Sequence, residues 1–285
     1  MAEYEDGVWW SGDGLRLHYR AYAGPEDKPP IVCLPGLTRN ARDWEPVADR
    51  LAGDWRIYCL EMRGRGESAY ADDAMTYVPL TYVQDVEAFL RDRGIDRFIA
   101  FGTSLGGIVT MLLAGTRPER LAGALLNDIG PDIETAGVEK IRGYLGKSAQ
   151  YPTWMHAAHH LRAGFREAYP NWRIEDWLGF AKRLCKLQPS GRITFDYDMR
   201  IAEPFRVPGG EAGVDLWKAF DGLKSVPTLL VRGARSNILS EATAAGMQRR
   251  KPDLMVADVP DTGHAPLLDE PAAVTAIDRL LSSVE

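Results

Sequence analysis

The sequence predicts an α/β protein: an open, mostly parallel sheet flanked by helices and interrupted once by an inserted helical segment. Three observations carry this. Short apolar runs, of the kind buried on both faces of a parallel sheet, alternate with amphipathic helical stretches. One of these runs, Phe98 to Phe101, breaks at a Gly-x-Ser-x-Gly turn, Gly102 to Gly106, and leads into a helix. An aromatic-rich stretch from about Pro131 to Lys224 then separates the early strands from the late ones. The 285 residues, 45% of them hydrophobic, suffice for one such domain with an insertion.

Taken in order, Leu15 to Tyr22 alternates like an edge strand and ends at the turn Gly24-Pro25-Glu26-Asp27. Buried strands come next, near Ile31 to Leu34 and Arg56 to Leu60. Tyr82 to Arg93 is the clearest helix, with Val83, Val86 and Leu90 on one face. Phe98 to Phe101 is the strand before the serine turn, and Ile108 to Ala114 is the helix after it. Ala122 to Asn127 reads as the next buried strand, ending in Asn127-Asp128. The strands return at Thr228 to Val231 and Leu254 to Val259, and Glu270-Pro271 opens a last helix through Leu281. The core is therefore expected over 1–130 and 225–285, and the insertion over 131–224. An open parallel sheet has its site at the C-terminal edge of its strands, where Ser104, Asp128, Asn237 and His264 all fall.

A serine on a sharp strand-to-helix bend has its hydroxyl pushed out of the sheet top, free for attack. Gly102 and Gly106 make room for the close approach of strand and helix. A serine nucleophile needs a base. Of the five histidines, His264 lies in the polar loop Val259-Pro260-Asp261-Thr262-Gly263-His264-Ala265-Pro266, placed to fold back over the sheet top.

With these motifs the chain resembles the α/β-hydrolase family from about Gly14 to Leu281. Ile31-Val32-Cys33-Leu34-Pro35-Gly36-Leu37 is similar to the family's third strand and the loop after it. Leu60-Glu61-Met62-Arg63-Gly64-Arg65-Gly66-Glu67-Ser68 is similar to the segment after the fourth. Pro35 stands where the family usually has histidine and Glu61 where it has aspartate; neither position carries the chemistry. The resemblance implies an α/β-hydrolase fold with a helical cap inserted after the sixth strand, and a Ser–acid–His order. It also implies an oxyanion hole made by the backbone N–H groups of Leu37 and Leu105, the latter opening a helix. Thr38 and Asn40 shape the first of these loops, with a part as additional side-chain donors as the alternative.

The third triad member has two candidates. The family's acid usually comes after the strand that here ends Val231-Arg232-Gly233, but the loop reads Ala234-Arg235-Ser236-Asn237. Asn237 occupies the acid's place; it can hold the histidine ring but cannot offset an imidazolium charge. Asp128, at the end of the preceding strand, is the replacement, as in the haloalkane dehalogenases among the relatives. The expectation is that Asp128 orients His264 with Asn237 as a second contact; the alternative is that Asp128 only caps the Gly130-Pro131 turn.

The insertion holds Trp154, Trp172, Trp177, Trp217, Phe165, Phe180, Phe195 and Phe205, in helix-like stretches such as Ile174 to Leu187. As a cap it implies an apolar pocket with few polar anchors, three or four of the aromatics at most touching substrate. His156, His159 and His160 have helical spacing but lack the glutamate and third ligand of a zinc site, so no metal is expected. Arg63 and Arg65 read as a structural loop rather than a phosphate cradle.

Forty acidic against thirty-four basic residues give −6, which draws the chain to neither nucleic acid nor anionic membranes. No apolar run approaches a membrane span of about 20 residues. The acidic start Met1-Ala2-Glu3-Tyr4-Glu5-Asp6 does not read as a signal peptide, and Cys33, Cys59 and Cys185, an odd number, are spread over the chain; a cytoplasmic protein with reduced thiols is expected. The partner is a small-molecule substrate, and nothing in the sequence demands an oligomer. The resemblance implies a cofactor-free serine hydrolase acting on a small, largely apolar carboxylic ester or lactone. Carbon–carbon hydrolysis or enol-lactone opening of ring-fission products is the alternative within the family. A small-molecule-binding protein weakened in catalysis is the alternative outside catalysis, and Asn237 is the feature that favours it.

Overall fold

The computed structural model describes residues 2–206 and 214–284; Met1, 207–213 and Glu285 lie outside the described residues, so a stretch of the predicted insertion is not covered. The chain opens with an antiparallel hairpin of β1 (Glu5–Trp10) and β2 (Arg16–Tyr22). The sequence predicts β2 but not β1, where Trp9 is the one fully buried side chain and Glu-Asp-Gly offers no apolar alternation. Then come β3 (Ile31–Leu34), α1 (Glu45–Leu51), β4 (Ile57–Glu61), α2 (Pro79–Asp92), β5 (Phe98–Thr103), α3 (Leu105–Thr116) and β6 (Leu121–Asn127). Beyond β6 lie α4 (Thr135–Tyr144), β7 (Gln150–Tyr151), α5 (Trp154–Phe165), α6 (Ile174–Leu184), β8 (Cys185–Leu187), β9 (Ile193–Phe195) and α7 (Leu216–Asp221). The chain ends with β10 (Thr228–Gly233), α8 (Glu241–Arg250), β11 (Met255–Val259) and α9 (Pro271–Ser282).

Eight strands form the main sheet, in the order β1-β2-β4-β3-β5-β6-β10-β11. β2 pairs antiparallel with both its neighbours, and every pair from β4 to β11 is parallel. Ile31, Cys33, Ile99 and Phe101 face one apolar layer, shared with α1 and α9; Val32, Leu34, Phe98 and Ala100 face the other, shared with α2 and α3. A strand covered on both sides must be apolar at every position, which is why these runs are continuous. No described helix is long and apolar enough to cross a membrane.

The inserted segment differs from the all-helical expectation. α5 and α6 enclose, with a small sheet of order β7-β9-β8, an apolar cluster of their own that includes Leu161, Trp177, Phe180 and Ile193. The helix predicted over Ile174 to Leu187 stops at Leu184, and Cys185, itself buried, opens a strand rather than continuing the helix. The apolar face of α6, Trp177, Phe180, Ala181 and Leu184, ends there. Beyond Leu184 the backbone is set by pairing of β8 with β9, a contact that local periodicity does not signal. α7 lies within the predicted insertion yet packs on the core: Ala219, Phe220 and Leu223 join the layer around α3. Their backbones touch because Gly222 lacks a Cβ, which would stand 2.2 Å from the Ala114 carbonyl oxygen.

Candidate active site

Between the end of β5 at Thr103 and the start of α3 at Leu105, Ser104 alone makes the turn, with φ 51° and ψ −114°. Such a backbone in a residue with a Cβ costs on the order of 1–3 kcal/mol and is held only by its surroundings. Here the surroundings are glycines. A Cβ on Gly106 would lie 1.9 Å from the Leu34 carbonyl oxygen, and one on Gly102 would lie 2.5 Å from the Gly106 backbone. α3 reaches the sheet because neither is present.

Ser104 Oγ lies 2.9 Å from His264 Nε2, and His264 Nδ1 lies 2.8 Å from Asp128 Oδ2. A carboxylate only accepts, so the ring proton sits on Nδ1 and Nε2 faces the serine hydroxyl as acceptor. Asp128 comes directly after β6 and is fully buried. Its Oδ1 accepts from the Gly233 N–H at 2.8 Å, and its Oδ2 also accepts from the Ser236 hydroxyl at 2.6 Å. Three donors thus meet a carboxylate that water does not reach.

Asn237 is outside this set, contrary to its expected place as a second contact of His264. Its side chain is exposed, while Ser236 turns inward from the same loop. The orientation is local: Ser236 Oγ also accepts from the N–H groups of Ile238 and Leu239 at 3.1 and 3.0 Å, closing a serine turn. Ser236 is the Asp128 contact that sequence reasoning misses, and its place beside Asn237 is the signal that could have found it.

The two leucines stand beside the serine. A Cβ on Gly36 would come 3.7 Å from that of Ser104, so the Gly36–Leu37 loop borders Ser104. Leu105 is the first residue of α3, where an N–H has no partner within the helix. Among the described residues neither N–H is spent on a backbone acceptor. Arg65 Nε donates to the Leu37 carbonyl at 2.8 Å, and its Nη1 donates to the Arg63 carbonyl and the Tyr82 hydroxyl. Arg63 pairs with Asp85 and Asp13. The arginine loop is structural, as expected, and it supports the Leu37 loop from beneath. Glu61 organises the same region by accepting from the Ala41 and Glu67 N–H groups. Asn40 donates to the Arg183 carbonyl at 3.0 Å, tying the loop to α6, whereas Thr38 lines the cavity.

The histidine loop is held from three sides. The Gly263 N–H donates to the Ala168 carbonyl at 2.7 Å and the Tyr169 hydroxyl to the Ala265 carbonyl at 3.0 Å, both from the inserted segment. Asn127 Nδ2 donates to the Pro266 carbonyl at 2.9 Å. Glu270 accepts from the Leu267 and Leu268 N–H groups, and burial pushes its carboxyl above the usual range.

A cavity of ≈ 400 Å³ lies between the strand ends and the inserted segment, with Ser104 and His264 in its wall. Six aromatic rings of the segment line it: Tyr144, Phe165, Tyr169, Phe180, Phe195 and Tyr197. Its tryptophans pack instead, Trp172 stacking on Tyr169 with centroids 4.1 Å apart and Trp177 against Phe180. On α5, His156 contacts the Thr153 hydroxyl and His160 lies against Tyr151 at the cavity wall. Among the described residues no three metal-ligating side chains gather.

Residues 31–277 match the profile of the "Alpha/beta hydrolase family". The chain belongs to this family. Within it, this alpha/beta hydrolase is 34% identical over 271 residues to a 3-hydroxybutyrate-oligomer hydrolase of Cupriavidus necator, covering 91% of this chain and 90% of that one. It is 26% identical over 264 residues to an N-formylmaleamate deformylase of Pseudomonas putida, covering 93% and 91%. Among solved structures it is similar to an alpha/beta hydrolase from Novosphingobium aromaticivorans, with 56% identity, a TM-score of 0.96 and 99% of each chain covered.

Proposed function

We propose that this alpha/beta hydrolase cleaves a small, largely apolar carboxylic ester through an acyl-enzyme on Ser104. The reading is carried by the relay from Ser104 Oγ through His264 to Asp128, with separations of 2.9 and 2.8 Å. His264 Nε2 takes the serine proton as Oγ attacks the ester carbonyl, and buried Asp128 offsets the imidazolium charge. Charge developing on the carbonyl oxygen is met by the Leu37 and Leu105 N–H groups. His264 then protonates the departing alcohol, takes a proton from water, and the hydroxide so generated releases the acid.

The cavity supports an ester with an apolar chain, since six aromatic rings of the inserted segment line it. A relative named for 3-hydroxybutyrate oligomers, whose units are joined through ester bonds, supports the same bond type. The feature that favoured a binding-only protein, Asn237, lies outside the hydrogen-bonded set. The test is turnover of p-nitrophenyl butyrate by the full chain with Ser104→Ala as the blank, together with labelling by a fluorophosphonate. Turnover and labelling that both vanish in the variant support the reading; an unlabelled, inactive native chain overturns it.

A further inference from the structure

We infer that the substrate carries a free carboxylate, received at the outer wall of the cavity by Lys140 and Lys147; the inference deepens the ester-hydrolase reading and rests on it. The chain as a whole is acidic, −6 at pH 7. The cavity wall has the opposite sign, with Arg39, Lys140 and Lys147 against the single carboxylate of Asp43. Arg39 is already neutralised, because its guanidinium pairs with Asp43 through two nitrogens and lies over the Phe180 ring at 4.5 Å. That leaves the two lysines. Among the described residues, neither side-chain ammonium has an ion pair or hydrogen bond within the chain.

Their placement gives the charge a direction. Lys140 sits on α4 one turn before Tyr144, and Lys147 lies just past the end of that helix. Both side chains are exposed, so they are at the wet rim of the same cavity whose wall holds Ser104 and His264 at the strand ends. A linear ester running from Ser104 past the aromatic rings would bring the far end of its acyl or alcohol part to this rim. An apolar end gains nothing there. A carboxylate gains two cations without being buried, so it escapes the desolvation cost that a charge deeper in the cavity would meet. Two positive charges at the mouth also concentrate anionic substrate against the protein's own negative field. The substrate class is therefore a monoanionic ester, such as a short hydroxy-acid oligoester or the half-ester of a dicarboxylic acid.

The test compares kcat/KM for two esters of matched length, mono(p-nitrophenyl) adipate and p-nitrophenyl hexanoate, in the full chain. The adipate-to-hexanoate ratio should fall about fivefold or more in Lys140→Gln/Lys147→Gln and recover in Lys140→Arg/Lys147→Arg, where charge is restored. It should also shrink as sodium chloride rises from about 0.05 to about 0.5 M, because exposed charges are screened. A ratio that the glutamine pair leaves unmoved overturns the inference and leaves the hydrolase reading intact. Calorimetric binding of monomethyl adipate and dimethyl adipate to Ser104→Ala tests the rim without turnover. Tighter binding of the monoanion, lost when both lysines are also glutamine, supports the inference even if no ester is turned over, an outcome that would count against the hydrolase reading alone. Equal binding of the two esters overturns it.

Discussion

The side-chain amide of Asn127 donates to the Pro266 carbonyl at 2.9 Å and to the Thr103 hydroxyl at 3.0 Å, so one residue ties the loop of His264 to the strand that delivers Ser104. The backbone carbonyl of Asn127 also accepts from the Ser104 N–H at 3.0 Å, and Asp128 is the next residue. All three members of the relay are thus referenced to the end of β6. Because the Pro266 carbonyl can only accept, the amide has a single workable orientation.

Replacing Asn127 by alanine should loosen the relay without removing any reacting group. Asn127→Ala should lower kcat about tenfold or more, with a smaller change in KM, since a displacement of about 1 Å at the reacting atoms is worth up to about 10²-fold. The lost buried hydrogen bonds should cost about 1–3 kcal/mol of stability. Steady-state kinetics beside a denaturant melt separate the two effects; a proportional rise in KM with unchanged kcat would contradict the positioning role.

The choice between Asp128 and Asn237 gives opposite predictions. Asp128→Asn removes the carboxylate charge and, with its amide oxygen held by the Gly233 N–H, turns a donor toward the His264 Nδ1–H; it should lower kcat by about 10³–10⁴, the scale of a misoriented triad histidine. Asn237→Asp alters an exposed side chain away from the relay and should stay within about twofold of the native rate. A large gain in the second variant would mean that the acid works best from the loop after β10.

The elbow glycines can be tested by stability alone. Gly106→Ala places a Cβ 1.9 Å from the Leu34 carbonyl oxygen, which is backbone and cannot swing aside. It should cost about 4 kcal/mol or more, lowering Tm by roughly 10 °C or abolishing soluble protein. Gly179, within α6, has open space around it. Gly179→Ala should therefore raise stability by about 0.5–1 kcal/mol through helix propensity. Equal Tm values for the two variants would refute the steric account.

His18 supplies a pH dependence. Its ring lies between Glu61, 3.0 Å from Nδ1, and Asp6, 2.9 Å from Nε2. Burial alone would lower its pKa, but the hydrogen bonds and charges of the two carboxylates outweigh burial and raise it. A folded value above the unfolded value of about 6.5 means the stabilisation is complete below about pH 6.5 and is lost as pH rises through the folded pKa. The Tm difference between the native chain and His18→Gln should accordingly narrow from about pH 6 to about pH 9. A difference that widens over that range would show that the ring is held neutral.

Much of this protein is legible from local sequence because the signals are local. The continuous apolar strands, the glycine-flanked Ser104 and the late Gly-His loop each arise from constraints within a few residues: burial on both faces, absence of a Cβ, a turn between strand and helix. The small sheet β7-β9-β8, the strand at Cys185 and the docking of α7 on α3 are not legible in this way. They are decided by partners far away in sequence, such as Cys185 against Phe195 and Ala219 beside Gly115.

The same division runs through the site. By itself the sequence determined the residue types and the sheet edge on which they gather, and it named Asp128 and Asn237 as rivals without separating them. Only the tertiary structure decided between their positions. The serine turn points Ser236 inward at the Asp128 carboxylate and sends Asn237 to solvent, and the inserted segment contributes Ala168 and Tyr169 to the loop of His264. The reason is physical: a hydrogen bond between residues separated by about a hundred positions depends on how distant elements pack, and no local propensity encodes that.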